Sequence, residues 1–127
     1  MEPKLRIRFE KELRQASEAE ARGHFQLAWH SLERAHILSQ AHARPHLQVH
    51  GAMFCFAWRR GNLSELAGQL PRLLLAAPGS WLGRAPLGNT GGANVGIFTP
   101  MPIPDDLQAI FQEAARQEGQ EPHRQAP

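Results

Sequence analysis

The feature that most limits what this chain can fold into is the spacing of its apolar residues, which recur three and four positions apart in four successive stretches. Only an α-helix turns that spacing into one continuous face. From about Leu5 to Arg22 the residues Phe9, Leu13, Ala16 and Ala19 form such a stripe, and Gly23 supplies the left-handed residue that ends a helix. A second helix is predicted from about Phe25 to Gln40, with Phe25, Ala28, Leu32 and Ala35 inward and Trp29 beside them. Pro45 suits the first position of a third helix, which runs to about Arg60 and stops at Gly61. Asn62 with Glu65 three residues later is a capping-box pattern for a fourth, and Pro71 should kink or split that helix.

The character then changes. Positions 76–104 are rich in Gly and Pro, and Gly88-Asn89-Thr90-Gly91-Gly92-Ala93-Asn94 has no helical period. A loop this long inside a compact domain is usually functional or disordered, and its apolar punctuation (Trp81, Leu82, Leu87, Val95, Ile97, Phe98) predicts that it wraps the helices. Asp105 with Gln108 opens a short last helix carrying Leu107, Ile110 and Phe111 on one face. Residues 118–127 are polar and read as a frayed tail.

An internal repeat organises the helices. With Gly23 aligned to Gly61, Ala28, Leu32 and Ala35 fall on Leu66, Leu70 and Leu73, and Ala16 and Ala19 fall on Phe54 and Ala57. Each half is an antiparallel helical hairpin that resembles the tetratricopeptide type, although the offset exceeds that family's period of about 34 residues and an array needs about three repeats. The predicted fold is therefore all-α: one domain over residues 1–127, with two antiparallel hairpins forming a four-helix bundle, a wrapping loop and a short C-terminal helix.

Length and charge exclude several classes. In 127 residues, 42% of them apolar, there is material for one modest core. The net charge of +2 comes from Arg and Lys interleaved with Glu and Gln, which gives no basic stripe for nucleic acid, and Trp29, Trp58 and Trp81 read as core residues. The longest apolar run, Leu73 to Ala77, is too short to span a bilayer. The opening residues MEPKLRIRFEKELRQ lack the apolar region of a secretory signal, so the expected location is the cytoplasm. The single cysteine, Cys55, lies between Phe54 and Phe56 and reads as a buried, inert thiol.

Chemistry concentrates in histidine and glutamate. Glu12 and His50 occupy matching places in the two halves, on faces expected to point inward, where a lone charge or imidazole is costly to bury unless something pairs with it. Glu33 and His36 are an i, i+3 pair, His46 and His50 an i, i+4 pair, and Glu65 and Gln69 another four apart. Each pair projects from one helical face, and bundle metal sites draw a Glu from some helices and a Glu-x-x-His from others. Glu33-Arg34-Ala35-His36 is such a motif, but a second one is missing, which argues against a two-metal site. The predicted ligand pool is Glu12, Glu33, His36, His46 and His50, with Glu65 and Gln69 as further ligands or supporting partners. Imidazole and carboxylate suit Zn(II), Fe(II), Ni(II) or Cu(II), and Met53, one turn after His50, leaves a His-His-Met copper site open. His24, His30, His42 and His123 are assigned to solvent or capping.

The bland reading stands beside this one. Among seven histidines an i, i+4 pair arises readily by chance, and Pro45 could make His46 and His50 an exposed first turn. The Gly-rich loop lacks the Lys-Ser/Thr ending of a phosphate-binding loop, so Asn89, Thr90 and Asn94 are read as parts of a lid. Ser64 and Ser80 have no Gly-x-Ser-x-Gly context.

Four stretches carry a resemblance: Leu32-Glu33-Arg34-Ala35-His36-Ile37-Leu38, Pro45-His46 with His50, Gly88 to Val95, and Pro100 to Leu107. They resemble a small bacterial helical family known only as a domain of unknown function, over roughly Phe9 to Phe111. The resemblance implies no established activity, and the family's association with metal-resistance settings implies metal handling by association alone. Two functions follow for test. One is a transition-metal protein, either metal-handling or a small metalloenzyme with the loop as lid. The other is a tetratricopeptide-like adaptor without metal. A homodimer is expected if the bundle leaves an apolar face uncovered.

Overall fold

In a computed structural model describing residues 1–83, 86–96 and 99–119, the helical periodicity becomes five α-helices and, among those residues, no strand. They are α1 (Pro3–Ala21), α2 (Phe25–Ser39), α3 (Ala43–Arg60), α4 (Leu63–Trp81) and α5 (Asp105–Glu118). Pro3 opens α1, where its missing N–H is harmless, and the Glu2 carboxylate accepts from the Leu5 amide at 3.0 Å. Gly61 ends α3 with a φ of 66°, a conformation that favours glycine.

The two hairpins form as expected: α1 packs along α2, α3 packs along α4, α2 joins the pairs through α3, and α5 lies against α1. Ala28 and Ala35, both fully buried, let the helices of the first hairpin and their neighbours approach closely. One apolar cluster is built from Ala16, Ala19, Ala28, Leu32, Met53 and Phe56, and a second from Leu5, Ile37, Leu38 and Leu107, which α5 seals. Phe9 and Val49 close on Ala35 between them.

Several local expectations are corrected. Pro71 does not split α4, which runs on through Pro78 to Trp81, so the irregular segment starts after position 81 and not at 76. Proline keeps a helical φ, and although it lacks an N–H and crowds the carbonyl four residues back, packing against α3 supports the flanking turns. The α3 helix starts at Ala43, leaving Pro45 inside its first turn. Asn62 caps the Glu65 amide at 3.0 Å, but the Glu65 carboxylate does not close the box, because it bonds elsewhere. Pro104, without a capping side chain, precedes α5. Trp58 and Trp81 are not core residues: they are 70% and 76% exposed. The inward line of α3 runs through His46, Val49, His50, Met53, Phe56 and Ala57, and a helix turns the next position away. Cys55 is exposed for the same reason. Phe25 is also exposed, with the Arg60 guanidinium 4.0 Å above its ring. The expected frayed tail lies mostly outside the described residues, as do His123 and the loop residues Ile97 and Phe98.

Candidate metal centre

Helix pairing brings three histidines together. His36 comes from α2, and His46 and His50 come from α3, one turn apart on the face turned toward α2 and α4. All three are buried. Their Nε2 atoms form a triangle with sides of 2.9 Å (His36–His46), 3.0 Å (His36–His50) and 3.2 Å (His46–His50).

The other ring nitrogens decide what those short contacts are. His36 Nδ1 lies 2.7 Å from the carbonyl of Asn89, which only accepts, so this nitrogen carries the proton and donates. His46 Nδ1 donates to Ser80 Oγ at 2.7 Å, with the Ala76 carbonyl at 3.2 Å. The Ser80 hydroxyl spends its own hydrogen on the Gln40 carbonyl at 2.6 Å and is left to accept. His50 Nδ1 lies 2.7 Å from Gln69 Oε1. The Gln69 amide cannot be turned round, because its Nε2 donates to Glu65 Oε1 at 2.7 Å and to the Gly91 carbonyl at 2.8 Å. With each Nδ1 protonated, a neutral imidazole presents a bare lone pair at Nε2. Three lone pairs therefore converge, and nothing within the triangle can donate between them.

Protonation does not relieve this. Burial pushes the His46 and His50 imidazoles down to about 4, against a smaller upward influence from Ala76 on His46 and from Gln69 on His50. His36 is held well below its ordinary value, first by burial and then by His50 and His46. All three are neutral near pH 7, the form in which imidazole binds a metal.

The glutamates of the predicted pool go elsewhere. Glu12 is buried on α1, where Oε1 accepts from Arg34 Nε at 3.0 Å, with Arg8 Nε at 3.8 Å. Because α1 packs on α2, this carboxylate meets Arg34, not His50. Arg34 also reaches Asp106 on α5, so the ion pairs tie three helices together. Glu33 is half-buried beside Trp29, with its carboxyl raised by burial against the lowering effect of His30. It is not among the side chains whose ligand atoms converge with the histidines. Met53 is sealed in the apolar cluster, which removes the His-His-Met arrangement. His24 and His30 are exposed and His42 is half-buried, with no side-chain cap from His24 or His42.

Glu65 and Gln69 stand behind His50 as a carboxylate–amide–imidazole relay, and both Glu65 oxygens also accept from the Ala93 amide, at 2.9 and 3.0 Å. The loop closes the arrangement. Asn89 is buried and its side chain bonds the Gly91 amide and the Gly96 and Thr99 carbonyls. Thr90 is half-buried and Asn94 exposed, so of the three expected lid residues Asn89 alone touches a histidine, through its backbone. Gly91, at a φ of 83°, lies so close to His36 that an added Cβ would sit 2.6–2.9 Å from three of its ring atoms. Gly88 is as constrained, since a Cβ there would strike the Met101 carbonyl.

The same imidazoles line a cavity of about 220 Å³, walled further by Gln40, Arg72, Leu75, Pro78, Leu82 and Pro86. The supporting roles of Ser80, Gln40 and Arg72 escaped the sequence reading. Only Arg72 left a signal, as the one charged residue in the stretch from Leu66 to Ala77.

Residues 3–111 match the model of a family described as a protein of unknown function (DUF3703). The chain belongs to that family. The DUF3703 match covers α1 to α4, the loop and the first half of α5, and therefore every residue of the histidine site. No curated protein and no solved structure matches the chain.

Proposed function

We propose that this DUF3703 protein binds one divalent transition-metal ion through His36, His46 and His50 and presents it to a small ligand in the adjoining cavity. The observation that carries the reading is the triangle of unprotonated Nε2 atoms. An ion about 2.0–2.1 Å from three imidazole nitrogens separates them by about 3.3 Å in tetrahedral geometry and by about 2.9 Å when the bond angles are near 90°. The sides of 2.9, 3.0 and 3.2 Å fall within that range. Without a cation or a proton the three lone pairs repel, and burial disfavours the proton.

Three imidazoles without thiolate suit Zn(II) first, then Co(II), Ni(II) or Fe(II). A structural zinc site closes its sphere with a fourth protein ligand, whereas sites that work on a substrate keep a position for water. Among the described residues no carboxylate or thiol joins the three histidines. The reading is therefore a metalloenzyme-type or ligand-binding centre with the loop from Pro86 to Val95 as its cover. The bound ion would act as a Lewis acid on that ligand. Its support is of the kind such centres need: every Nδ1 donates to a fixed acceptor, which sets the tautomer and ring orientation.

Elemental analysis of tag-free protein tests this, with His36→Ala and His50→Ala alongside. About one metal per chain, lost in both variants, is the expected result. Failure of Zn(II), Co(II), Ni(II), Fe(II) and Cu(II) all to bind the refolded protein would overturn it.

The adaptor reading draws on α4, whose outer face exposes Leu63, Leu70, Leu74 and Trp81. No charged side chain interrupts that stripe, so a second copy is its natural cover, and with Leu75 and Leu82 it offers on the order of 800 Å² per partner, the size of a standard interface. We read it as a homodimer interface beside the metal centre. Light scattering should give twice the mass of 14.2 kDa, and Leu74→Glu should halve it. A reducing cytoplasm would suit the exposed Cys55 thiol.

A further inference from the structure

Arg72 is a buried cation that the fold has not neutralised. It is 7% exposed on the face of α4 turned toward the histidines and the loop. Its Nη1 donates to the Gly68 carbonyl and its Nη2 to the Val95 carbonyl, each at 2.7 Å. Those acceptors position the guanidinium but carry no negative charge. Among the described residues no carboxylate lies within 4.0 Å of it, and two of its five N–H groups have a protein partner. Glu65, the acid whose charge reaches it, has its oxygens engaged by Gln69 and Ala93.

A buried, unpaired charge is costly, and an anionic ligand beside it would offset that cost. Arg72 lines the cavity beside the three histidines, and it is the only Arg, Lys, Asp or Glu among the described residues that do so. Its charge is close enough to depress the imidazoles of His36 and His50. The rest of the wall is largely apolar: Leu75, Ala76, Pro78, Leu82 and Pro86. One region of the cavity is thus cationic and the remainder greasy. At about 30 Å³ for one water in the liquid, a cavity of about 220 Å³ has room for a ligand of only several heavy atoms.

We propose that the cavity binds a small monocarboxylate with an apolar body, whose carboxylate is shared between the metal ion and Arg72. The inference rests on the metal reading above and names the ligand class of that same site. Guanidinium recognises a carboxylate through two N–H donors, and a divalent ion takes a carboxylate oxygen in place of water. The apolar walls distinguish this ligand from an inorganic anion, whose whole surface needs polar partners. Leu75 and Leu82, exposed in the single chain, form the apolar mouth of the cavity against which that body would lie.

The test uses the full chain loaded with Co(II), whose visible spectrum reports its coordination. Butyrate is titrated first, then butyramide, which keeps the shape without the charge, and then sulfate. Saturable spectral change with butyrate at least ten times tighter than with either control is expected. Arg72→Met should weaken butyrate tenfold or more while cobalt still binds at one per chain. Arg72→Lys, which keeps a charge for the site if Arg72→Met does not fold, should retain part of the affinity. Cobalt that binds without any butyrate response, or with butyramide or sulfate bound as tightly, overturns the carboxylate inference and leaves the metal reading standing. Cobalt that does not bind overturns both.

Discussion

Replacing Gln69 with Met separates the metal centre from the helices that carry it. Gln69 is fully buried and makes three hydrogen bonds: it accepts from His50 Nδ1 and donates to Glu65 Oε1 and the Gly91 carbonyl. Methionine fills nearly the same volume and makes none of them. The His50 N–H and the Gly91 carbonyl are buried, so each stands to lose about 1–3 kcal/mol when left unpaired, while Glu65 keeps the Ala93 amide. The expected loss of folding stability is about 2–6 kcal/mol. The metal should suffer separately. Without its acceptor, His50 is free to rotate or to move its proton to Nε2, and loss of such a supporting partner typically lowers metal affinity about 10–100-fold. Competition against a chromophoric zinc chelator measures affinity, and urea unfolding of metal-free protein measures stability. Gln69→Glu provides a control that retains an acceptor for His50 but places a second carboxylate against Glu65. A Gln69→Met protein that is destabilised yet binds zinc within twofold of wild type would refute the reasoning, because it would show that the relay supports the fold and not the imidazole.

Three further perturbations address other parts of the site. Gly91→Ala adds a Cβ 2.6–2.9 Å from the His36 ring at a φ of 83°, so zinc affinity should fall at least tenfold with strain of about 1–3 kcal/mol; unchanged affinity in the chelator assay would contradict the close approach. Glu12→Ala removes the α1 partner of Arg34, which keeps Asp106, and should destabilise by about 1–3 kcal/mol, while metal content stays the same; loss of metal would return Glu12 to the ligand set. For metal-free protein, stability should fall with acid. His46 and His50 titrate at about 4 when folded and near 6.5 when unfolded, so the unfolded chain takes up more protons between those values. Their contribution is complete above pH 6.5 and is lost as pH falls toward 4, by about 2 kcal/mol per group at pH 5 if the two titrate independently. Urea midpoints at pH 7.5, 6 and 5 measure this, and a flat profile would mean that the imidazoles are not buried as described.

The helices were legible because periodicity and turn chemistry agree: Gly23 and Gly61 end helices, and Phe9, Ala16, Ala28, Leu32 and Ala35 all reach the core. His36, His46 and His50 stood out because polar residues at inward positions need partners. Glu12 and Glu33 were grouped with them since spacing shows which face a residue occupies and not which neighbour that face meets. Arg34, one position beyond Glu33, is what claims Glu12. Trp58 and Trp81 were misplaced for a related reason, since bulk suggests burial but the outer faces of α3 and α4 carry them.

What spacing could not show is the part of the site made by the chain's backbone. His36 is held by the Asn89 carbonyl, Arg72 by those of Gly68 and Val95, and Gln69 by that of Gly91. A backbone carbonyl has no residue signature, so only the glycines that allow its approach hint at it. That choice of partners has a consequence for function. Because acceptors fix all three Nδ1 protons, the fold presents a bare Nε2 lone pair on each imidazole, the tautomer that the proposed metal site requires. The cost is three mutually repelling lone pairs and a buried guanidinium in one small volume, set against apolar clusters that lie mainly on the other side of α2 and α3. A fold that needed only helix packing would gain by replacing these groups with leucines. Their presence together, each oriented by a separate bond, is what the proposed metal and carboxylate readings account for and helix packing alone does not.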